Sequence, residues 1–383
     1  MRIVHISPHL PPDQAANAIL PAQAGTWSAE RGHAVLYVAH PPAQGGAPTP
    51  PDAGPVTWVP RRTREGVMGA LRLDALVLSR QFGRVLDQAA SGADLLHLHS
   101  NGLLIEAAAS WARQQQIPYL LTLYGTEIWH YKPRWPIDFF RRAYMRATAV
   151  TFYSRKLMER ARELGLDRPA LSVVYPAVSE VFAPADEATR AAIKHDLGIV
   201  ESHLIVNVKR LHVLAGQKYL LDAFAALTQR RQDVRLVICG TGGLRESLEA
   251  QAKTLGITDR VTFAGLVAND DVARYTAAAD VFALPSLLEA LPTVAVEALA
   301  SGTPVVSADH PGGLELQELF EGDVVVVPKR DVPTLTRALD ESLTTGRRTQ
   351  PQTQATLARL FRSPAIGEQY DRLYESIVTQ PRP

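Results

Sequence analysis

Short apolar runs alternate with stretches of helical spacing along almost all of the 383 residues, and the alternation starts twice. In the first series the strand candidates are 3–7, 34–39, 56–59, 95–99, 119–124, 149–153 and 172–175. Helix-period segments such as 71–90, 103–115 and 137–146 lie between them. After Pro176-Ala177-Val178 the pattern begins afresh, with strands at 204–209, 235–239, 261–263, 281–284, 303–307 and 324–327. The helices of this series are placed at 218–230, 244–255 and 270–278. Alternating strands and helices build an open parallel sheet covered on both faces. Two such series predict two α/β domains, as a chain too long for one hydrophobic core requires. The boundaries are placed at 1–180 and 181–363, with the irregular, polar stretch 181–188 as a hinge. In the tail, 364–383, Tyr370, Leu373, Tyr374 and Ile377 fall at helical spacing. The Pro-, Gly- and Ala-rich stretch 41–55 is predicted to be a loose surface loop.

Composition narrows the class. A single cysteine, Cys239, excludes an internal disulfide framework and fits a reducing compartment; at the end of an apolar strand it is expected to pack in the core. The first strand meets Pro8 too soon to be a signal peptide, and no apolar stretch approaches the ~20 residues that span a bilayer. The net charge of +1 hides an asymmetry: 1–180 carries 19 basic and 14 acidic residues, the remainder 21 and 25. Within the first part, 131–162 holds nine basic and two acidic residues interleaved with Trp135, Phe139, Phe140 and Tyr144. Such a stretch is either a solvated helix face with aromatic core contacts or a contact with an anionic surface.

The densest functional signal is 285–313, PSLLEALPTVAVEALASGTPVVSADHPGG. Glu289 lies in a loop after an apolar strand. Glu297 falls one turn into a helix that Pro292-Thr293 opens, with Thr293 as the expected cap, and that Gly302 closes. Helix-start amides favour a phosphate and carboxylates accept hydroxyl hydrogen bonds, so the segment can receive a phosphate attached to a polyol. In open α/β sheets ligands bind beyond the carboxyl ends of the strands. The neighbouring loops there carry Lys209-Arg210, Lys218 at a helix start, and Gly240-Thr241-Gly242-Gly243. Cations suit a diphosphate and glycines permit close approach to it. Arg245 stands where a dinucleotide fingerprint wants a third glycine. The chain has no Asp-x-Asp pair, so no metal site of that type is expected. His97 and His99 are read as facing opposite sides of one strand, one of them into the core, rather than as a ligand pair. Neither a Gly-x-Ser-x-Gly elbow nor a Gly-x-x-x-x-Gly-Lys loop is present.

Taken together, these residues resemble the retaining glycosyltransferases of the GT-B fold, in particular the GT4 family (glycosyltransferase group 1). The resemblance is strongest at 285–313, with its Pro-Ser, Glu-x7-Glu-Ala, small-Gly-x-Pro-Val-Val and closing Gly-Gly. Asp94-Leu-Leu-His-Leu-His99, Thr122-Leu-Tyr-Gly-Thr-Glu127, Ser154-Arg155, Val173-Val-Tyr-Pro-Ala-Val178 and Lys209-Arg-Leu211 support it. It implies two doubly wound Rossmann-like domains facing across a cleft, the first binding the acceptor and the second a nucleotide-sugar donor. The last helix would cross back onto the first domain. By the same resemblance Glu289 would contact the sugar hydroxyls and Glu297 the ribose. Arg210, with backbone N–H groups of the turn around Leu291, Pro292 and Thr293, would hold the diphosphate. Gly240 and Gly242 would line the phosphates, and Leu266 and Val267 would flank the base. Asn17, Tyr124 and Glu127 fall on the acceptor side. Where the family usually has Glu-Gly-Phe-Gly this chain has Glu289-Ala-Leu-Pro292, and Ala215 occupies the place of the usual phosphate lysine, which leaves Lys218 or Lys209 to supply that cation. A histidine commonly stands where Tyr124 does, and Gly-Gly where Gln14-Ala-Ala-Asn17 does. The implied reaction is metal-independent transfer, with retention, to a glycan, lipid-linked or small-molecule acceptor, in the cytoplasm or at the inner face of the plasma membrane. No cofactor and no nucleic acid is expected. A nucleotide-sugar epimerase of the same fold and a catalytically silent homologue are the alternatives.

Overall fold

A computed structural model describes residues 1–13, 16–42, 51–61, 74–135, 137–168 and 170–380. They form two compact units, Met1–Pro176 with Ser363–Pro383, and Ala177–Arg362. The division thus falls at Ala177 rather than 181, and the last helix belongs with the first unit.

The first unit is built on seven parallel strands: β1 (Arg2–Ser7), β2 (Ala34–Ala39), β3 (Val56–Trp58), β4 (Leu95–His99), β5 (Tyr119–Leu123), β6 (Ala149–Phe152) and β7 (Leu171–Val173). Their order in the sheet is β3-β2-β1-β4-β5-β6-β7. The central strands read as continuous buried runs because helices cover both faces of a parallel sheet. The helix Ala16–Glu30 fills the β1–β2 crossover, and Ser154 starts the helix Arg155–Glu163 by accepting the Leu157 N–H. The C-terminal helix Ser363–Val378 buries Tyr370, Tyr374 and Ile377 of the stripe its spacing predicts, together with Ile366, while Leu373 is half-buried. Asp371 pairs with His33 at 2.6 Å, and the Gln369 amide donates to the Val173 carbonyl.

The second unit carries six parallel strands: β8 (His203–Val208), β9 (Val234–Cys239), β10 (Val261–Gly265), β11 (Val281–Leu284), β12 (Val305–Ala308) and β13 (Val324–Val327). They lie in the order β10-β9-β8-β11-β12-β13. Its core gathers Ile205, Phe224, Leu236, Ile238, Val306 and Leu339, and Cys239 is buried as expected. The helix Glu187–Asp196 begins where the sequence suggested a hinge; Asp186 caps it by accepting the Thr189 N–H. The helices Val332–Thr345 and Pro351–Leu360 were not anticipated either, although Asp331 caps the first in the same way.

One reading of the first sheet is overturned. Residues two apart on a strand share a face, and the rings of His97 and His99 lie 3.9 Å apart on the same one. His5, paired to His97 across the β1–β4 register, joins them.

Candidate functional site

In the second sheet β8 and β11 are neighbours, and the order of the strands reverses between them. Loops leaving such a pair diverge and open a crevice at the carboxyl ends. Here three loops are laced together. Lys209 N–H donates to the Cys239 carbonyl, Leu211 N–H to that of Thr241, and Leu287 N–H to that of Leu214. A Cβ at Gly240 would lie 2.1 Å from the Lys209 carbonyl oxygen, and one at Gly242 2.2 Å from that of Leu211. Gly216 meets the Pro285 carbonyl equally closely. The glycine turn therefore exists so that the loops can touch.

Glu289 stands at the centre of this cluster. Its carboxylate forms an ion pair with Lys209, Nζ to Oε1 2.6 Å. Its carbonyl accepts the Gly312 N–H. A Cβ at Gly312 would press on the Pro292 ring and the Ala290 carbonyl, so the Glu289–Pro292 turn rests directly on the helix Pro311–Leu319. Buried His310 caps that helix by accepting the Gly313 N–H, and burial pushes its imidazole down to about 3. The closing Gly-Gly of the motif is thus a seat for the loop that bears Glu289.

The helix Thr293–Ala300 starts differently from expectation. Pro292 is its N-cap, Thr293 is already helical, and no side chain caps it. A cap must precede the first turn to reach back into it. Among the described residues the N–H groups of Thr293 and Val294 have no acceptor. One turn on, half-buried Glu297 has no side-chain partner among the described residues, and burial raises its carboxyl to about 7. The site therefore combines a neutralised carboxylate, two unused amides at a positive helix end and a second carboxyl poised near neutrality.

The other expected residues are placed as follows. Arg210 is exposed at the end of β8, and Lys218 is exposed with its Nζ 5.3 Å from the ring of Tyr219, not joined to Glu289. Leu266 is exposed and Val267 half-buried just after β10; Leu291 and Pro292 are buried. In the first unit, Tyr124 follows β5 and its hydroxyl lies 2.6 Å from His99 Nδ1. Buried Glu127 accepts from the Ser100 hydroxyl and the Gly125 N–H. It also lines a pocket with Asn101, Thr126, His130, Lys132 and Arg134. Asn17 falls in the helix Ala16–Glu30, its side chain outside the described residues; Gln14 and Ala15 also lie outside them. What the sequence did not reveal is the pairing of Lys209 with Glu289 and the support from Gly312 and His310, which join residues far apart in the chain.

Buried His5, His97 and His99 are close enough to suggest a metal centre. Yet His97 has a hydroxyl partner on each nitrogen, Tyr374 at 2.8 Å and Thr122 at 2.7 Å, while His99 uses its two nitrogens on Tyr124 and His5. The cluster is a hydrogen-bonded network whose rings are occupied by one another and by hydroxyls.

Comparison with known proteins bears on the family and the fold. Residues 189–356 match the family described as Glycosyl transferases group 1, and residues 22–177 match the Glycosyl transferase 4-like domain. A 2-deoxystreptamine glucosyltransferase of Streptomyces kanamyceticus is 31% identical over 236 residues, covering 58% of this chain and 61% of that one. A 2-deoxystreptamine N-acetyl-D-glucosaminyltransferase of Streptomyces fradiae is 30% identical over 287 residues, covering 70% and 67%. The chain thus spans about three fifths to two thirds of the length of these two curated relatives. Among solved structures, Anabaena HepE in complex with UDP has the same fold, with a TM-score of 0.74 at 18% identity over 98% of this chain and 100% of that one. The two doubly wound sheets and both family matches lead to one statement: the chain belongs to the group 1, GT4-like family of glycosyltransferases with the GT-B fold.

Proposed function

We propose that the protein is a retaining glycosyltransferase that moves a sugar from a nucleotide-sugar donor to a glycan, lipid-linked or small-molecule acceptor without a metal. The observation that carries this reading is the pair Glu289 and Glu297 on either side of an uncapped helix start, at the point where the second sheet reverses its order. The Thr293 and Val294 amides, the helix dipole and Arg210 receive the diphosphate. Glu289 accepts from sugar hydroxyls, Glu297 from the ribose, and Leu266 and Val267 flank the base. Gly240 and Gly242 let the phosphates approach the backbone. Two relatives support a sugar donor: the Streptomyces kanamyceticus protein is named for glucosyl transfer, and HepE was solved with UDP. In the reaction the acceptor oxygen bonds to the anomeric carbon on the face that the diphosphate leaves. The acceptor proton passes to the departing phosphate oxygen, so no side chain acts as nucleophile. The protein's work is to position both substrates and stabilise the leaving charge. Glu289→Gln keeps the shape and removes the charge; it should lower transfer by about 10²-fold or more while the melting temperature stays near that of wild type. Near-normal turnover in that variant would refute the assignment.

The acceptor side carries a second feature. On the first unit Trp135 is 92% exposed, and exposed Ile137 and Met145 line one pocket with Asp138 and the cations Arg134, Arg141, Arg142 and Arg146. Apolar side chains amid arginines suit the surface of an anionic lipid layer. No helix among the described residues is long and apolar enough to cross a membrane. Co-sedimentation with anionic but not neutral vesicles, weakening as salt is raised, is the expected result; equal recovery in both supernatants would reject the contact.

A further inference from the structure

We propose that Lys209 is the lysine that receives the donor's diphosphate, and that Glu289 holds it in position until the donor arrives. The inference rests on the donor-site reading above and adds to Arg210 the lysine that Ala215 leaves missing. Lys209 is the first residue beyond β8, and Glu289 lies in the loop beyond the adjacent β11, so the two meet at the strand reversal. The Lys209 backbone is fixed on two sides: its N–H donates to the Cys239 carbonyl, and its own carbonyl is closed over by Gly240. The side chain is only 29% exposed and runs to Glu289. The other candidates for that lysine do not converge on Glu289. Lys218 lies over the ring of its own neighbour, and Ala215 is buried and uncharged.

The chemistry favours an exchange of partners. An ammonium has three donors and a compact charge, so it can hold a carboxylate and a phosphate oxygen together. While the site is empty, Lys209 neutralises Glu289, which would otherwise repel an incoming diphosphate. When the donor binds, phosphate oxygens take a share of the ammonium, and the Glu289 carboxylate gains freedom to accept from sugar hydroxyls. One lysine thereby couples arrival of the leaving group to readiness of the residue that reads the sugar.

Calorimetric titration of wild type with UDP, GDP and ADP identifies the diphosphate that binds. Lys209→Met should then weaken that diphosphate at least tenfold and leave competition by the parent nucleoside within about twofold. The double variant Lys209→Met/Glu289→Gln removes both charges. If Lys209 touches phosphate, the double variant stays weak; if the lysine only neutralises Glu289, affinity returns to near wild type and the inference falls. Unchanged diphosphate affinity in Lys209→Met overturns the inference alone. Failure of wild type to bind any of the three overturns the donor-site reading with it. Circular dichroism of each variant separates these outcomes from unfolding.

Discussion

The two sheets share one winding, three strands running out from the centre on one side and the rest on the other, yet they treat the point of reversal in opposite ways. In the second sheet the loops past β8 and β11 hold glycines, an uncapped helix start and charged side chains. In the first, the equivalent pair β1 and β4 is filled by His5, His97 and His99, closed by Tyr374 of the last helix and Tyr124 after β5. The same topology offers a crevice at both points. Whether it stays available depends on what the strand ends carry: one keeps polar groups unpaired, the other pairs nearly every one. Among the described residues only His5 Nε2 remains without a partner there. A buried network that is satisfied internally rigidifies a core, while unused donors at a helix end wait for a ligand.

The largest effect expected from this difference concerns acid. Burial lowers the imidazole of His5 to about 3 and those of His97 and His99 well below their ordinary value, with neighbouring imidazoles adding to the shift. The folded protein thus binds fewer protons than the unfolded chain. The stability these groups contribute is present above about pH 6.5 and is lost as pH falls from there towards 3. The loss is expected as pH falls below about 6.5, where the unfolded chain takes up protons that the folded cluster refuses. Urea unfolding at several pH values should show this steep loss, with His5→Leu making it shallower. A pH-independent midpoint would break the contrast, since it would mean that the rings take up protons in the fold as readily as in the unfolded chain.

On the open side, Gly240→Ala places a Cβ against the Lys209 carbonyl at a φ of 142°. A cost of about 3 kcal/mol and loss of nucleotide binding are expected, measured by melting and titration. Gly102 in the first unit also has a positive φ, but its Cβ would meet nothing within 4 Å. Gly102→Ala should therefore cost about 1–2 kcal/mol, from backbone strain alone. Equal losses in both would show that loop contact is not what Gly240 serves.

A smaller effect comes from Glu297. Its carboxyl is raised to about 7, so part of the folded protein carries it protonated at neutral pH. A ribose that donates to the carboxylate favours the ionised form, and binding releases a proton. Nucleotide affinity should then rise by up to roughly tenfold from pH 6 to pH 8. Glu297→Gln should flatten that rise to whatever the nucleotide's own phosphate contributes. An unaltered slope would remove Glu297 from the site.

The sheets were legible because parallel strands buried on both faces read as unbroken apolar runs, as Val281–Leu284 does. The carboxylate pair was legible because loop, helix start and Gly302 follow one another in sequence. Long-range features were not. The Lys209–Glu289 pair and the Gly312 seat depend on which loops the strand order brings together, and periodicity does not report that. The histidine cluster was misjudged for a simpler reason: a period of two puts His97 and His99 on one face, where Tyr370 and Tyr374 of the C-terminal helix meet His97. The unanticipated helices Glu187–Asp196 and Val332–Thr345 each begin at a capping aspartate, Asp186 and Asp331.

Hydrogen exchange with and without a saturating nucleoside diphosphate tests the central claim most directly. The amides of Thr293 and Val294, free of acceptors among the described residues, should slow markedly, together with those of 240–243, while exchange in β1 and β4 beside the histidines stays as it was. Protection around β1 and β4 with none at Thr293 and Val294 would contradict the account.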